Sequence, residues 1–199
     1  MSVYAALLAR PGARPLALAC AAGQMAYGGM TLAIVLLVQD GTGSFTAAGL
    51  AVGGFAVGAG ALAPLRGRLV DRRGGAALLW LGSAYTAALA ALLALAGHGP
   101  ALVTVAAATV AGALSPPLIA TARAVWPRVA GPGLTRAAHA TNALLGDVAA
   151  VLSPVLVGLL AATAGPAAAL AAIAAGPLAG CLLVAMLPPH ASASTVPLA

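Results

Sequence analysis

Six long blocks of apolar residues constrain the fold of this 199-residue sequence more than any other feature. They run roughly over residues 16–38, 45–65, 76–97, 101–122, 138–164 and 167–187. A helix needs about 20 apolar residues to cross about 30 Å of hydrocarbon, and each block reaches that length. Charged residues make up 6% of the chain, whereas a soluble domain carries roughly 25%. The pattern predicts an all-α membrane protein with six transmembrane helices.

The arginines predict how these helices are oriented. All nine basic residues are arginines, and they lie before the first block, between the second and third, or between the fourth and fifth. Because cytoplasmic connections are enriched in basic residues, both termini are expected to be cytoplasmic, with a polar tail at 188–199. The same placement explains the net charge of +6 as a topology signal, with no nucleic-acid partner. Trp80 and Trp126 are expected in the interfacial aromatic belt.

Residues that could support catalysis or metal binding are few. The chain has three acids, Asp40, Asp71 and Asp147, and it shows no nucleophile-and-base pattern and no phosphate-binding loop. The three histidines are far apart in sequence, and the two cysteines lie singly within apolar blocks, so metal-ligand spacing is absent. We therefore expect no enzymatic activity, no metal site and no cofactor.

Glycines in the second block predict close helix packing. Gly49 with Gly53, and Gly54 with Gly58, have the small-xxx-small spacing that lets two membrane helices approach each other. The alternative is that glycine and alanine are abundant throughout a chain encoded by a GC-rich genome, which would also fit a bacterial origin.

Prolines interrupt two of the blocks. Pro116 and Pro117 lie in the fourth block and Pro154 lies in the fifth. Each proline removes a backbone donor, so kinks are expected at these positions. Bent helices line cavities in many transporters, although proline is also common as packing relief in membrane helices.

Asp147 is the one formal charge inside the six blocks. A carboxylate at mid-helix costs roughly 2.5–3.5 kcal/mol, so it is expected to face the bundle interior or a wet cavity, where it could couple transport to protons. The alternative is a hydrated position about 10 Å from the cytoplasmic face.

The stretch 67–75, GRLVDRRGG, resembles the loop between the second and third helices of the major facilitator superfamily, whose pattern is G-x-L-x-D-R-x-G-R-[RK]. The chain departs from that pattern at Gly75, where the family has a basic residue. The resemblance implies a gating loop on the cytoplasmic side, with one glycine at the exit from helix two and another at the turn into helix three. An alternative role is a positive-inside anchor without gating. The matching residues, in order, are Gly67, Leu69, Asp71, Arg72 and Gly74.

The layout of the chain resembles the N-terminal half of such a transporter, with two inverted three-helix repeats. The fourth helix lacks the arginine that many proton-coupled family members carry. In the family, helices one and four line the substrate cavity, although each polar residue at these positions could instead make an interhelical hydrogen bond. The residues implied to line the cavity are Gln24, Tyr27, Thr104, Thr109 and Ser115.

The function implied by this resemblance is secondary active transport by a half-length transporter. It would move a small, amphipathic solute, for example in efflux, by alternating access. The partners would be membrane lipid, the solute, and either a second copy or another six-helix half. The location would be a bacterial cell membrane. The alternative is a non-transporting scaffold or regulatory subunit derived from a truncated transporter.

Overall fold

The computed structural model describes residues 3–187, and this part of the chain contains helices and no strand. The all-α class predicted from the sequence is therefore confirmed. The predicted polar tail at 188–199 lies outside the described residues. The helices are α1 (Val3–Leu8), α2 (Ala13–Thr42), α3 (Phe45–Ala61), α4 (Ala63–Arg73), α5 (Gly75–Leu95), α6 (Ala101–Leu114), α7 (Leu118–Ala130), α8 (Thr135–Ala164) and α9 (Pro166–Ala185).

Five segments of the described chain are long and apolar enough to cross a membrane. They are α2, α5, the stretch formed by α6 and α7, α8 and α9. A sixth crossing results if α3 and α4, which meet at a bend of 47°, form one span. The predicted blocks thus correspond to five spans and one bent pair.

The stretch that the sequence predicts as a gating loop is helical. The second block ends early, at Ala61, and α4 then runs from Ala63 to Arg73. Pro64 lies in the first turn of α4, where a backbone N–H would have no acceptor within the helix, so proline loses no hydrogen bond there. Gly74 ends the helix with φ of 60°, which other residues rarely adopt. Gly67 therefore lies inside a helix and not at a helix exit, whereas Gly74 does form the turn into α5.

The connection after the fourth block is also shorter than the sequence predicts. Helix α7 continues to Ala130, so only residues 131–134 connect it to α8. This extension buries Trp126 completely, and its Nε1 donates a hydrogen bond to Cys20 Sγ at 3.3 Å. The prediction that Trp126 lies in an interfacial belt is wrong, because α7 packs this side chain against α2. Trp80 on α5 is exposed.

Glycines allow α3 and α6 to cross at close range. Gly54 and Gly58 lie directly against Thr109 of α6, and Gly112 lies against the backbone of Phe55. By contrast, Gly49 and Gly53 face open space. The close packing predicted from glycine spacing therefore occurs at the second pair and not at the first.

Helix α2 forms the centre of the bundle, packing against α3, α7, α8 and α9. The helices alternate in direction, so the arginine-bearing ends come together. Gly12 at the start of α2 lies near Val129 and Leu187, whereas Gly41 at its other end lies against Gly97. We call these the arginine end and the opposite end. Each end has its own apolar core, the first including Leu16, Cys20, Leu78 and Trp126, and the second including Ile34, Val38, Leu89 and Leu170.

Candidate functional site at two broken helices

A double-proline break lies between the two cores. Helix α6 ends at Leu114 and α7 begins at Leu118, because Pro116 and Pro117 have no N–H to continue the helical ladder. Leu118 then fits into a notch between α2 and α9. A Cβ atom added to Gly23 would lie 3.0 Å from Leu118 Cδ2, and one added to Gly180 would overlap the same atom. The two glycines thereby fix the position of the break.

Arg66 joins this break to the bend between α3 and α4. Its side chain is 8% exposed. Its Nη1 donates to Gly112 O at 2.9 Å, to Ser115 Oγ at 2.9 Å and to Ser115 O, and its Nη2 donates to Ala59 O. Broken helices within a membrane must have their freed carbonyls satisfied by protein or by cavity water. Arg66 performs that role for the ends of both α3 and α6.

The positive charge of Arg66 is buried without a carboxylate among these partners. All four acceptors are neutral, being three carbonyls and one hydroxyl. Within residues 3–187, the buried Nε atom has no hydrogen-bond partner. The sequence predicts that Arg66 lies in the connection between the second and third blocks, whereas the structure places it within α4 with its side chain buried. The side chain turns inward because the double-proline break, about fifty residues away in sequence, presents carbonyls that need donors.

A cavity of about 580 Å³ lies at the arginine end, and a larger one of about 730 Å³ lies beside the break. We call them the end cavity and the central cavity. The central cavity is lined by aromatic side chains from three helices and by the break itself. Pro117 and Ala120 line both cavities, so the start of α7 forms part of the wall between them. The wall of the central cavity includes Tyr27, Phe55, Tyr85, Ser115, Leu118 and Ile119.

Two of the residues implied to line a cavity do so. Tyr27 is 78% exposed at the rim of the central cavity, and Ser115 lies in its wall. Gln24 instead packs against Gly146 of α8. Thr109 donates to Val105 O within α6 and contacts α3, and Thr104 is buried. These three side chains pack within the bundle, and the hydrogen bond of Thr109 lies within α6, so the predicted interhelical hydrogen bond is not seen for it.

The residues of the predicted gating stretch divide between a cavity wall and the surface. Gly67, Asp71 and Gly74 line the end cavity together with Arg128. Arg72 is exposed and lies outside that lining. Asp71 is in the last turn of α4.

Helix α8 carries the remaining predicted residues. Asp147 is exposed on the outer surface of this helix, so the expectation that it faces the bundle interior is wrong for the single chain. Its neighbours on that surface, Val148 and Val151, are also exposed. Pro154 lies within an uninterrupted α8, and the preceding Ser153 donates its hydroxyl to Met25 O.

These features define a multi-pass helical membrane protein with a cavity at a pair of broken helices. Comparisons with family models, with curated proteins and with solved structures found no match to the chain. Among the described residues, no group of three or more His, Cys, Asp or Glu side chains comes together to hold a metal ion.

Proposed function

We propose that this chain is a half-length secondary transporter of the major facilitator type, located in a bacterial cell membrane with both termini in the cytoplasm. It moves a small, amphipathic solute by alternating access, and it works as a pair with a second copy or with another six-helix half. In this orientation, the arginine end and the end cavity face the cytoplasm.

The observation that carries this proposal is the arrangement of two cavities on either side of a thin wall. Alternating access requires a binding space and a barrier that rearranges to expose it to one side at a time. The start of α7 separates the central cavity from the end cavity, since Pro117 and Ala120 face both. A broken helix is easier to rearrange than a continuous one, because its ends rely in part on side-chain hydrogen bonds from Arg66.

The exposed position of Asp147 supports pairing with another bundle. A carboxylate on a lipid-facing helix surface costs roughly 2.5–3.5 kcal/mol, and a contacting polypeptide or a water-filled crevice between two bundles removes much of that cost. Tyr27, at the rim of the central cavity, is also exposed in the single chain.

Flux through reconstituted liposomes tests the transport proposal. A panel of fluorescent amphipathic solutes is loaded, and release is followed with and without an imposed ion gradient. Asp71→Asn alters the lining of the end cavity and should slow flux by about tenfold, which corresponds to about 1.4 kcal/mol in the barrier. Arg73→Gln is the matched control, because Arg73 is exposed on the same helix turn and lies outside that lining.

Liposomes that contain correctly folded protein but release no solute of the panel faster than empty liposomes would contradict the proposal. Equal slowing by Asp71→Asn and Arg73→Gln would contradict the role of the end cavity. The orientation is tested separately, by labelling single cysteines introduced at Arg72 and Arg136 in intact cells. Both should be protected from reagents that do not cross the membrane.

A further inference from the structure

The hydroxyl of Tyr85 is a buried polar group that the fold leaves without a partner. Tyr85 lies at the middle of α5 and is 4% exposed. Within residues 3–187 its hydroxyl makes no hydrogen bond, yet the hydroxyl is not among the polar atoms that are sealed from solvent. Because Tyr85 lines the central cavity, that cavity is the space that reaches the hydroxyl. Buried tyrosine hydroxyls usually find a hydrogen-bond partner, and an occupant of this cavity would supply one here.

Arg66 determines in which direction this hydroxyl acts. The guanidinium lies close enough to the phenol of Tyr85 for the two groups to interact electrostatically, while its hydrogen bonds go to Gly112, Ser115 and Ala59. Side-chain dipoles turn to follow the local field, so a positive charge attracts the phenolic oxygen and repels its hydrogen. The hydrogen therefore points away from Arg66, and the hydroxyl offers a donor to the cavity.

The lining of the central cavity favours an uncharged occupant. No charged side chain is among the described residues that form this wall. Arg66 lies behind the wall, with its guanidinium bonded to neutral acceptors, so it is not a counter-ion within the cavity. An ionised ligand would lose its hydration without meeting an opposite charge, and that loss costs far more than the transfer of a neutral molecule. The polar side chains of the lining are four hydroxyls, those of Tyr27, Thr31, Tyr85 and Ser115.

The remaining wall favours an aromatic ring. Phe55 and Tyr85 lie with their ring centroids 6.5 Å apart and their planes tilted by 52°, and Tyr27 stands at the rim. Tilted ring pairs at this spacing are a favourable aromatic arrangement, which a further ring extends. The cavity volume of about 730 Å³ is in the range that holds a small organic molecule.

We propose that the central cavity binds an uncharged aromatic molecule that carries a carbonyl group, with the carbonyl oxygen accepting a hydrogen bond from Tyr85 Oη and the ring lying against Phe55. This inference rests on the proposed transport function and names its substrate class. Tyr27 covers the open side of the ring at the rim. The ligand supplies the acceptor that the fold does not give to Tyr85.

Three compounds with the same ring test this substrate class. They are 2-acetonaphthone, 2-isopropenylnaphthalene, which replaces the carbonyl oxygen with a methylene group, and the anion 2-naphthoate. Binding to the purified full chain in phosphatidylcholine nanodiscs is measured by equilibrium dialysis, and uptake by empty nanodiscs is subtracted. We expect the ketone to bind about threefold to tenfold more tightly than the hydrocarbon, which corresponds to one net hydrogen bond. Naphthoate should bind most weakly, because the lining offers it no counter-ion.

Tyr85→Phe tests the hydrogen bond, because it removes the hydroxyl and keeps the ring. The affinity for the ketone should fall about threefold to tenfold, to that of the hydrocarbon, while the affinity for the hydrocarbon stays within about twofold. Resistance to unfolding by sodium dodecyl sulfate should not decrease, since the hydroxyl has no partner within the described residues. Tyr4→Phe is the matched control and should change neither affinity, because Tyr4 is exposed on α1 and lies outside the central cavity.

Ala56→Trp locates the site without involving the hydrogen bond. Ala56 lines the central cavity and is exposed, so a larger side chain at this position enters the cavity without displacing the bundle core. Binding of the ketone and of the hydrocarbon should both weaken by at least about tenfold. Ketone binding that is unchanged by both Ala56→Trp and Tyr85→Phe would overturn the location of the site.

The remaining outcomes decide the chemistry. Equal affinity of the unaltered protein for the ketone and the hydrocarbon would overturn the role of the carbonyl, and tightest binding of naphthoate would overturn the preference for an uncharged ligand. Lower resistance of Tyr85→Phe to unfolding would show that the hydroxyl has a structural partner, which also overturns the inference. Binding of none of the compounds, or binding in detergent that is lost in nanodiscs because lipid fills the cavity, would overturn the site itself. Absence of flux for every solute with ketone binding intact would contradict the transport proposal alone.

Discussion

Replacing Arg66 with methionine tests whether the two broken helices depend on one guanidinium. Methionine reproduces the unbranched aliphatic part of arginine and fits an apolar surrounding, so the substitution removes mainly the guanidinium with its donors. The four hydrogen bonds lost are those to Gly112, to Ala59 and to both oxygens of Ser115. Interhelical hydrogen bonds in membrane proteins average about 0.6 kcal/mol each, which sets a lower estimate of about 2 kcal/mol for the four.

Charge-assisted bonds are stronger, at about 1.5 kcal/mol or more each, and would raise the loss to about 6 kcal/mol. Methionine also removes the cost of burying a charge, which offsets part of that loss. We therefore expect Arg66→Met to lower the free energy of unfolding by about 2 to 4 kcal/mol. The measurement is reversible unfolding by sodium dodecyl sulfate in mixed micelles, followed by circular dichroism.

Arg68→Met is the matched control, because Arg68 lies two residues further along α4 and is exposed. Its substitution should change the free energy of unfolding by less than about 0.5 kcal/mol. If Arg66→Met and Arg68→Met give the same small change, Arg66 does not hold the broken helices, and the account of the site is refuted.

Two further substitutions test the packing and the surface of the bundle. Gly112→Val should destabilise the protein by at least about 2 kcal/mol in the same unfolding assay, because any Cβ at this position overlaps the backbone of Phe55. Gly49→Val is the control and should be close to neutral, because Gly49 faces open space. Equal effects of the two substitutions would contradict the close crossing of α3 and α6. Asp147→Leu should raise the free energy of unfolding of the monomeric bundle by about 2 kcal/mol, since the carboxylate faces outward on an apolar helix surface; a decrease would contradict that position.

The sequence predicts the helical class and the number of apolar segments because both follow from composition along the chain. Blocks of about 20 apolar residues form helices in lipid whatever they pack against. The turn at Gly74 is also predictable, because only glycine readily adopts its positive φ. These features need no information about which helix lies next to which.

The position of Arg66 depends on a distant neighbour, and local sequence does not determine it. An arginine near the end of a membrane helix can extend to the headgroups or turn inward. It turns inward here because Ser115 and Gly112 present carbonyls freed by the double-proline break. A signal was available: every break in a membrane helix leaves acceptors that need donors, and Arg66 is the arginine nearest to the apolar part of the second block.

The bend at Leu62 and the burial of Trp126 do not follow from the local sequence, for related reasons. The break after Ala61 has no proline at the break itself, since Pro64 begins the next helix and does not interrupt it. The burial of Trp126 requires a helix that continues past Arg123, and the rule that charged residues end membrane spans points the other way. Tertiary packing against Cys20 on α2 decides the outcome.

The dependence of Arg66 on the prolines leads to a last prediction, in a double-mutant cycle. Replacing Pro116 and Pro117 with alanine restores two N–H groups, which in one continuous helix bond to Gly112 O and Ala113 O, while the N–H of Ile119 bonds to Ser115 O. Arg66 then loses two acceptors, so replacing it should lower the free energy of unfolding by less. We expect Arg66→Met to cost about 2 kcal/mol less in the double-alanine background than in the unaltered protein, measured by the same unfolding assay. Equal costs in both backgrounds would mean that the guanidinium and the prolines act independently. A lower cost in the double-alanine background would show that the burial of the Arg66 charge and the break in the helix stabilise each other. A solute-dependent rearrangement at this site requires such a link between the two.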